Sequence, residues 1–133
     1  MVAAHRHSIL NVDFDLIDYA AAIESIHGWR NRGERRYVVL ANPHSVLMCR
    51  RDADFNRTVA GSDLTLPDGV GIILGAVILG WPHRGRVTGP TLMLKLCDWG
   101  RTHGYRHFFY GGAPGVADTL ARRLQSMWPG LEV

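Results

Sequence analysis

The stretch LPDGVG at Leu66–Gly71 joins an apolar strand pattern, Asp63–Leu66, to an apolar helix pattern that begins at Val70. In open parallel sheets, ligands bind outside the carboxyl ends of the strands, where helix N-termini offer free N–H groups. Asp68 is therefore a candidate site residue. The alternative is that its side chain only caps the following helix, a role in which Asp is common. Position and spacing favour neither interpretation.

Strand and helix patterns alternate on both sides of this stretch. Arg36–Ala41 carries a continuous apolar run, Tyr37–Leu40, of the kind buried on both faces of a sheet, and Asn42 followed by Pro43 is a strong helix start. Asp52 predicts the cap of a further short helix, and Tyr105–Tyr110 predicts a later strand. This alternation predicts an α/β fold, a Rossmann-like parallel sheet with helices on both faces.

The two ends of the chain set the predicted domain boundaries. Residues 1–7 are expected to form a disordered tail, and residues 8–133 one domain. Leu131–Val133 looks like the opening of one more strand. We therefore expect a truncated, partial domain whose uncovered sheet edge would favour self-association into a homo-oligomer.

The first elements of that domain follow local rules. Ser8–Val12 predicts a short strand, and Asp15 is the expected cap of a helix that Gly33 ends. From Gly89 another helix is expected to run to Gly104.

Composition excludes several classes of protein. Apolar residues make up 47% of the chain and charged residues 20%, enough to bury a core, while a net charge of +3 is too small to indicate nucleic acid. The apolar run Val70–Trp81 is shorter than the roughly 20 residues of a membrane-spanning helix. It predicts a buried core helix, with an interfacial helix as the second interpretation. Cys49 and Cys97 are expected to be buried thiols, and the absence of a signal sequence predicts a cytoplasmic chain.

Three predicted strands end in polar or glycine-rich turns, at Leu40–Pro43, Leu66–Gly69 and Phe109–Gly112. Parallel pairing would bring these turns to one edge of the sheet. The glycines at Gly111 and Gly112 suit a phosphate cradle, since they let backbone N–H groups approach an anion. They equally suit a tight turn that only needs positive φ.

Three further residues lie near these turns. Arg86 can neutralise a diphosphate with its planar fork, although a loop Arg is more often a solvated charge. Asn42 is first of all a helix cap, and His44 is a weaker candidate beside it. No metal-binding spacing, G-x-S-x-G elbow, P-loop or G-x-G-x-x-G motif is present, so hydrolase, kinase-like and standard dinucleotide functions lose their main support.

The order of these motifs resembles one known family. Val38–Pro43, Asp63–Gly71, Arg86–Gly89 and Phe108–Val116 resemble, in sequence and spacing, the WecG/TagA/CpsF family of bacterial glycosyltransferases. The resemblance extends from about Ile9 to the end of the chain.

The resemblance implies an enzyme that transfers N-acetylmannosamine, its uronic acid or a related hexose from a UDP-sugar. The implied acceptor is a polyprenyl-diphosphate-linked saccharide at the cytoplasmic face of the membrane, for cell-surface polysaccharide synthesis. Transfer in the family is inverting and metal-independent, with no cofactor. Asp68 would be the catalytic base, Arg86 would hold the donor diphosphate, and Asn42 would line the pocket. The other residues expected to bind substrate are Gly69, Gly111 and Gly112.

Two departures from the family pattern leave an alternative open. Leu40 stands where many relatives have Thr, and the family's catalytic domain continues beyond the point where this sequence stops. The alternative is a non-catalytic nucleotide-sugar-binding or assembly module. A dinucleotide oxidoreductase is a distant third, because the glycine pattern offers it little.

Overall fold

A computed structural model describes residues 6–133, which divide into two compact units, one ending at Gly89 and the other spanning Pro90–Val133. Within the described residues the first unit contains β1 (His7–Ile9), β2 (Val12–Phe14), α1 (Tyr19–Asn31), β3 (Val38–Ala41), α2 (Pro43–Arg51), α3 (Ala53–Ala60), β4 (Leu64–Pro67) and α4 (Val70–Leu79). The chain continues with α5 (Gly89–Gly100), a 3-10 turn (Arg101–His103) and α6 (Val116–Met127).

The centre of the first unit is a parallel pair of strands. β3 and β4 run side by side with Ala41 opposite Pro67, and all four residues of β4 are buried. The apolar run and the crossover through α2 and α3 therefore form the parallel pairing that the sequence predicts. The observed architecture is mixed α/β with a small parallel sheet, and among residues 6–133 it includes six α-helices.

The predicted strand Ser8–Val12 is wrong: the structure has a hairpin there, in which β1 and β2 pair antiparallel. Leu10 and Asn11 form its two-residue turn, both with positive φ, 51° and 66°. Such turns favour Asn and Gly, so a leucine in this position hides the signal. The described fold already includes Arg6 and His7, while the rest of the expected tail, residues 1–5, lies outside the described residues.

The prediction that Asp15 caps α1 is wrong. Asp18 is the cap, and its side chain accepts a hydrogen bond from Ala21 N at 2.9 Å. Asp15 is instead buried between β2 and β4. Its N–H donates to Thr65 O and its carboxylate accepts from Thr65 N, both at 2.8 Å. Arg6 Nε lies 3.3 Å from the same carboxylate. Both Asp residues suit a cap locally, and the tertiary contact with Thr65 decides between them.

Local rules succeed at the next helices. Asn42 caps α2 with Pro43 in its first turn, and Asp52 caps α3 through bonds from Asp54 N and Phe55 N. The predicted start of α4 at Val70 is confirmed as well. Both cysteines are buried, and burial raises the pKa of each thiol.

The prediction that α4 is a buried core helix is wrong. Only Ile72 and Ala76 are buried, whereas Ile78 is 75% exposed. The other large apolar side chains exposed on the helix are Val70, Leu74, Val77 and Leu79. Hydrophobicity on all sides hides which face packs, so the sequence could not show that the helix buries one face alone.

In the second unit the predicted strand Tyr105–Tyr110 is reduced to a single parallel bridge between Arg106 and Glu132. Phe108 and Tyr110 are 88% and 96% exposed, so this segment forms no buried ladder. α6 begins at Val116 and places Leu124 in a small core. The helix predicted from Gly89 to Gly104 ends as α5 at Gly100 and continues as the 3-10 turn.

We predict that Asp15→Asn changes how stability depends on pH. Burial raises the pKa of Asp15, against the Thr65 hydrogen bond and the Arg6 charge that lower it. A raised folded-state pKa stabilises the protein below the unfolded-state pKa, and this contribution is lost as pH rises through the folded-state pKa. The wild-type free energy of unfolding minus that of Asp15→Asn should therefore fall with pH above 3.8.

Denaturant titrations between acidic and neutral pH measure this difference. Asp18→Asn is the matched control, because the hydrogen bond from Ala21 lowers the pKa of Asp18. Its stability contribution is lost as pH falls, so its wild-type-minus-variant difference should rise with pH. If both wild-type-minus-variant differences change with pH in the same direction, the raised pKa assigned to Asp15 is wrong.

Candidate functional site

The register of β3 and β4 brings two predicted site residues together. Because Ala41 lies opposite Pro67, the chains leave the sheet side by side at Asn42 and Asp68. Asp68 N donates to Ala41 O at 3.0 Å, one residue past the ladder. The expected meeting of the turns at Leu40–Pro43 and Leu66–Gly69 is therefore observed, and it lies at the carboxyl edge of the parallel pair.

The turn at Gly69 depends on having no side chain. Its φ of 116° is a conformation that L-residues rarely adopt, and a Cβ there would lie 3.7 Å from Pro43 Cδ and 4.0 Å from Asn42 Cβ. Gly69 therefore lets the strand turn abruptly into α4 while its backbone stays against the start of α2. It also brings the first N–H groups of α4 next to Asp68.

The alternative role of Asp68 as a helix cap is wrong. Gly69 is the N-cap of α4, and none of the side chains in residues 6–133 caps that helix. Asp68 is partly buried, and its carboxylate has no hydrogen-bond or ion-pair partner among residues 6–133. The first turn of α4 therefore keeps donors that an anion or a polar ligand can use.

Asn42 is committed in part to its own helix. Its Oδ1 accepts from Ser45 N at 2.9 Å, and its own backbone N–H donates to Ser45 Oγ at 3.3 Å, which completes a capping box. The cap uses the amide oxygen, so the amide nitrogen is the group that remains to donate to a ligand. His44, the weaker candidate, is exposed one residue past Pro43.

Arg86 lies in a loop that is fixed to the end of β4. Val87 is fully buried, and its N–H donates to Pro67 O at 2.8 Å. On the other side of Val87, Thr88 N donates to Tyr19 Oη at 2.9 Å, and Thr88 Oγ1 lies 3.2 Å from the same hydroxyl. These contacts hold the backbone of Arg86 beside the turn that carries Asp68.

The two arginines of this loop differ in their partners. Arg84 lies 3.3 Å from Asp18, whose pKa is lowered by the Ala21 hydrogen bond and by Arg84 itself. Arg86 is exposed and has no ion-pair partner within the described residues. Arg86 therefore keeps its full capacity for an anionic ligand.

The other predicted glycines belong to the second unit. Gly111 and Gly112 have φ of 117° and 76°, and the turn leads through Gly115 into α6, which has no side-chain cap. Both open interpretations, a phosphate cradle and a turn that needs positive φ, are compatible with these values. The structure thus groups Asn42, Asp68, Gly69 and Arg86 in the first unit.

No pattern in the sequence singles out Tyr19, which lies at the start of α1. Its hydroxyl holds Thr88, a contact 69 positions away that no local pattern reports. Leu40, the departure from the family pattern, is partly buried, and its Cγ lies 3.8 Å from where a Cβ of Gly89 would be. The leucine therefore packs against the end of the same loop.

The described residues contain neither a cluster of metal-binding side chains nor a membrane-spanning helix. Within residues 6–133, no three His, Cys, Asp or Glu side chains form a group that could hold a metal ion. None of the helices in this described range has the length and apolar character needed to cross a bilayer.

The chain that carries Asn42, Asp68 and Arg86 matches one known protein family. The model of the glycosyl transferase WecG/TagA/CpsF family matches residues 7–133. The chain belongs to this family. The resemblance carried by Val38–Pro43, Asp63–Gly71 and the later motifs is thereby confirmed.

Two relatives carry the same name, N-acetylglucosaminyldiphosphoundecaprenol N-acetyl-beta-D-mannosaminyltransferase. The chain is 28% identical over 122 residues to that of Bacillus spizizenii, covering 92% of this chain and 47% of the relative. It is 22% identical over 96 residues to that of Bacillus subtilis, covering 72% and 38%. This WecG/TagA/CpsF chain thus spans less than half the length of each.

We predict that Tyr19→Phe loosens the loop that carries Arg86. The change removes the hydroxyl that accepts from Thr88 N, a net loss of about 1 kcal/mol for an ordinary hydrogen bond. Amide hydrogen exchange should show the Thr88 amide exchanging about fivefold faster.

Tyr37→Phe is the matched control, because its hydroxyl donates to Thr58 O at the end of α3. It should leave Thr88 unchanged. If the Thr88 amide exchanges at the same rate in both variants, Tyr19 does not hold the loop.

Proposed function

We propose that this chain carries the donor half-site and the base of a UDP-sugar-dependent glycosyltransferase. The supporting observation is the juxtaposition of Asn42 and Asp68 at the carboxyl ends of β3 and β4, with Arg86 in the loop bonded to the same strand. The proposed reaction moves N-acetylmannosamine, or a closely related hexose, to a polyprenyl-diphosphate-linked saccharide. Membership of the family and the names of the two relatives support this choice.

Asp68 is proposed as the general base. A carboxylate without a protein partner can accept the proton of an acceptor hydroxyl as that oxygen bonds to the anomeric carbon. The bond from the anomeric carbon to the UDP oxygen breaks as the new bond forms on the opposite face, which inverts the configuration. Asn42 Nδ2 lies on the neighbouring turn, where it can donate to a sugar or acceptor hydroxyl.

Arg86 is proposed to stabilise the departing diphosphate. A guanidinium binds phosphate oxygens bidentately, and the uncapped first turn of α4 adds backbone donors at the positive end of its dipole. Together these groups supply positive charge where negative charge develops. We accordingly propose that transfer does not require a metal ion and that added EDTA leaves the rate unchanged.

The proposed place of action is the cytoplasmic face of the membrane. The acceptor class is a lipid diphosphate, which stays in the bilayer while its sugar end reaches the enzyme. We therefore propose that the protein associates peripherally with this membrane face. Gly111 and Gly112 of the second unit are proposed as further substrate-binding positions.

We predict that Asp68→Asn lowers the transfer rate by about 10² to 10⁴, the usual contribution of one positioned base. Its affinity for UDP should stay within about threefold of wild type, because the amide keeps the shape of the carboxylate. Transfer of labelled N-acetylmannosamine to N-acetylglucosaminyl-diphosphoryl lipid measures the first quantity, and calorimetry with UDP the second.

Asp13→Asn is the matched control, because Asp13 is exposed on β2 away from the strand ends. It should keep both activity and UDP affinity. Transfer by Asp68→Asn at the wild-type rate would contradict the mechanism. UDP binding by a wild-type chain that transfers no sugar would favour the alternative, a nucleotide-sugar-binding module.

A further inference from the structure

A second feature of the first unit is an apolar cleft of about 280 Å³ beside the candidate site. Its lining includes Pro43 and Gly71 at one end and Ile78 near the other. Pro43 follows Asn42 directly, and Gly71 lies two residues past Gly69. The cleft therefore starts where the candidate site ends and extends along α4, about 12 Å at the helical rise per residue.

Two glycines allow α4 to lie close to its neighbours along this cleft. A Cβ on Gly71 would lie 2.7 Å from Pro43 Cγ, and one on Gly75 would lie 3.1 Å from Ile9 Cγ2. All ten residues of α4 are apolar or glycine, without a single charge. The cleft is thus concave and apolar, and Ile78, one of its lining residues, is 75% exposed.

The rim of the cleft contains a strained residue. Leu10 has φ of 51°, a conformation costly for a bulky side chain, and it is 63% exposed. Asn or Gly would fit this hairpin turn better. An apolar side chain is therefore held in an unfavourable backbone conformation at the mouth of an apolar cleft. Such strain is expected where the side chain contributes to binding a ligand.

The surrounding charges define the chemistry of the occupant. The loop after α4 carries Arg86, which has no ion-pair partner among residues 6–133, and returns to the end of β4 through Val87. An apolar groove that runs from a cationic, donor-rich sheet edge is complementary to an amphiphile with an anionic head and a hydrocarbon tail. A second copy of this chain fits less well, because a stable dimer buries about 800 Å² per partner, more than one narrow cleft offers.

We propose that this cleft binds the first isoprene units of the polyprenyl chain of the acceptor, next to its diphosphate. The proposal rests on the proposed function, which supplies a lipid diphosphate as acceptor. It adds that the protein contacts the hydrocarbon chain, so that its affinity for the acceptor depends on this chain as well as on the sugar.

Calorimetry below the micelle concentration tests this with two probes, N-acetylglucosaminyl diphosphate carrying a farnesyl chain and the same compound with a methyl group. The wild-type chain should bind the farnesyl probe about tenfold more tightly, or ~1.4 kcal/mol. Leu10→Asn and Ile78→Gln should abolish the difference. Leu10→Asn should also keep the fold, because Asn tolerates the positive φ.

Val77→Gln is the matched control, since Val77 is exposed on α4 but does not line the cleft, and it should keep the tenfold preference. A preference that persists in both cleft variants overturns the proposal. Two other results would also overturn it. One is binding of the wild-type chain to phosphatidylcholine vesicles that lack prenyl lipid, if Ile78→Gln removes that binding. The other is a wild-type dimer that Ile78→Gln dissociates. UDP affinity, measured in parallel, separates these outcomes from a failure of the proposed function, because no cleft variant touches Asp68 or Arg86.

Discussion

The parallel pairing of β3 with β4 is the constraint on which the site depends. Four ladder positions place Ala41 opposite Pro67, and the bond from Asp68 N to Ala41 O extends the pairing one residue further. A shift of the register by one residue would separate Asn42 from Asp68 and would move every buried side chain of β4 to the other face. Burial of all four β4 residues therefore fixes the chemistry at the strand ends.

β4 is held from its other side as well. Asp15 bonds both backbone groups of Thr65, and Val87 bonds Pro67 O two residues further on. The second contact places Arg86, and Tyr19 secures the same loop through Thr88. The candidate site is thus supported by backbone bonds and one tyrosine hydroxyl, while the groups left for a ligand are Asp68, Arg86 and the Asn42 amide nitrogen.

Features that depend on interactions between neighbouring residues in the sequence were predicted correctly. The Asn42 and Asp52 caps and the start of α4 at Val70 follow from sequence, as does the family. Tertiary contacts decided the rest. Thr65 draws Asp15 away from a capping role, and the fold holds Leu10 in a turn that its side chain disfavours. The exposed face of α4 could not be predicted, because an all-apolar helix carries no signal for which side packs.

The central claim is that Asn42, Asp68 and Arg86 form one site that binds the donor nucleotide. Nuclear magnetic resonance of the side chains during a UDP titration tests it most directly. The account predicts saturable shifts of the Asp68 carboxyl carbon, the Arg86 Nε–H and the Asn42 Nδ2–H₂ with one common affinity. Shifts confined to the separate cleft that Trp29 and Arg36 line, with these three signals unmoved, would contradict it.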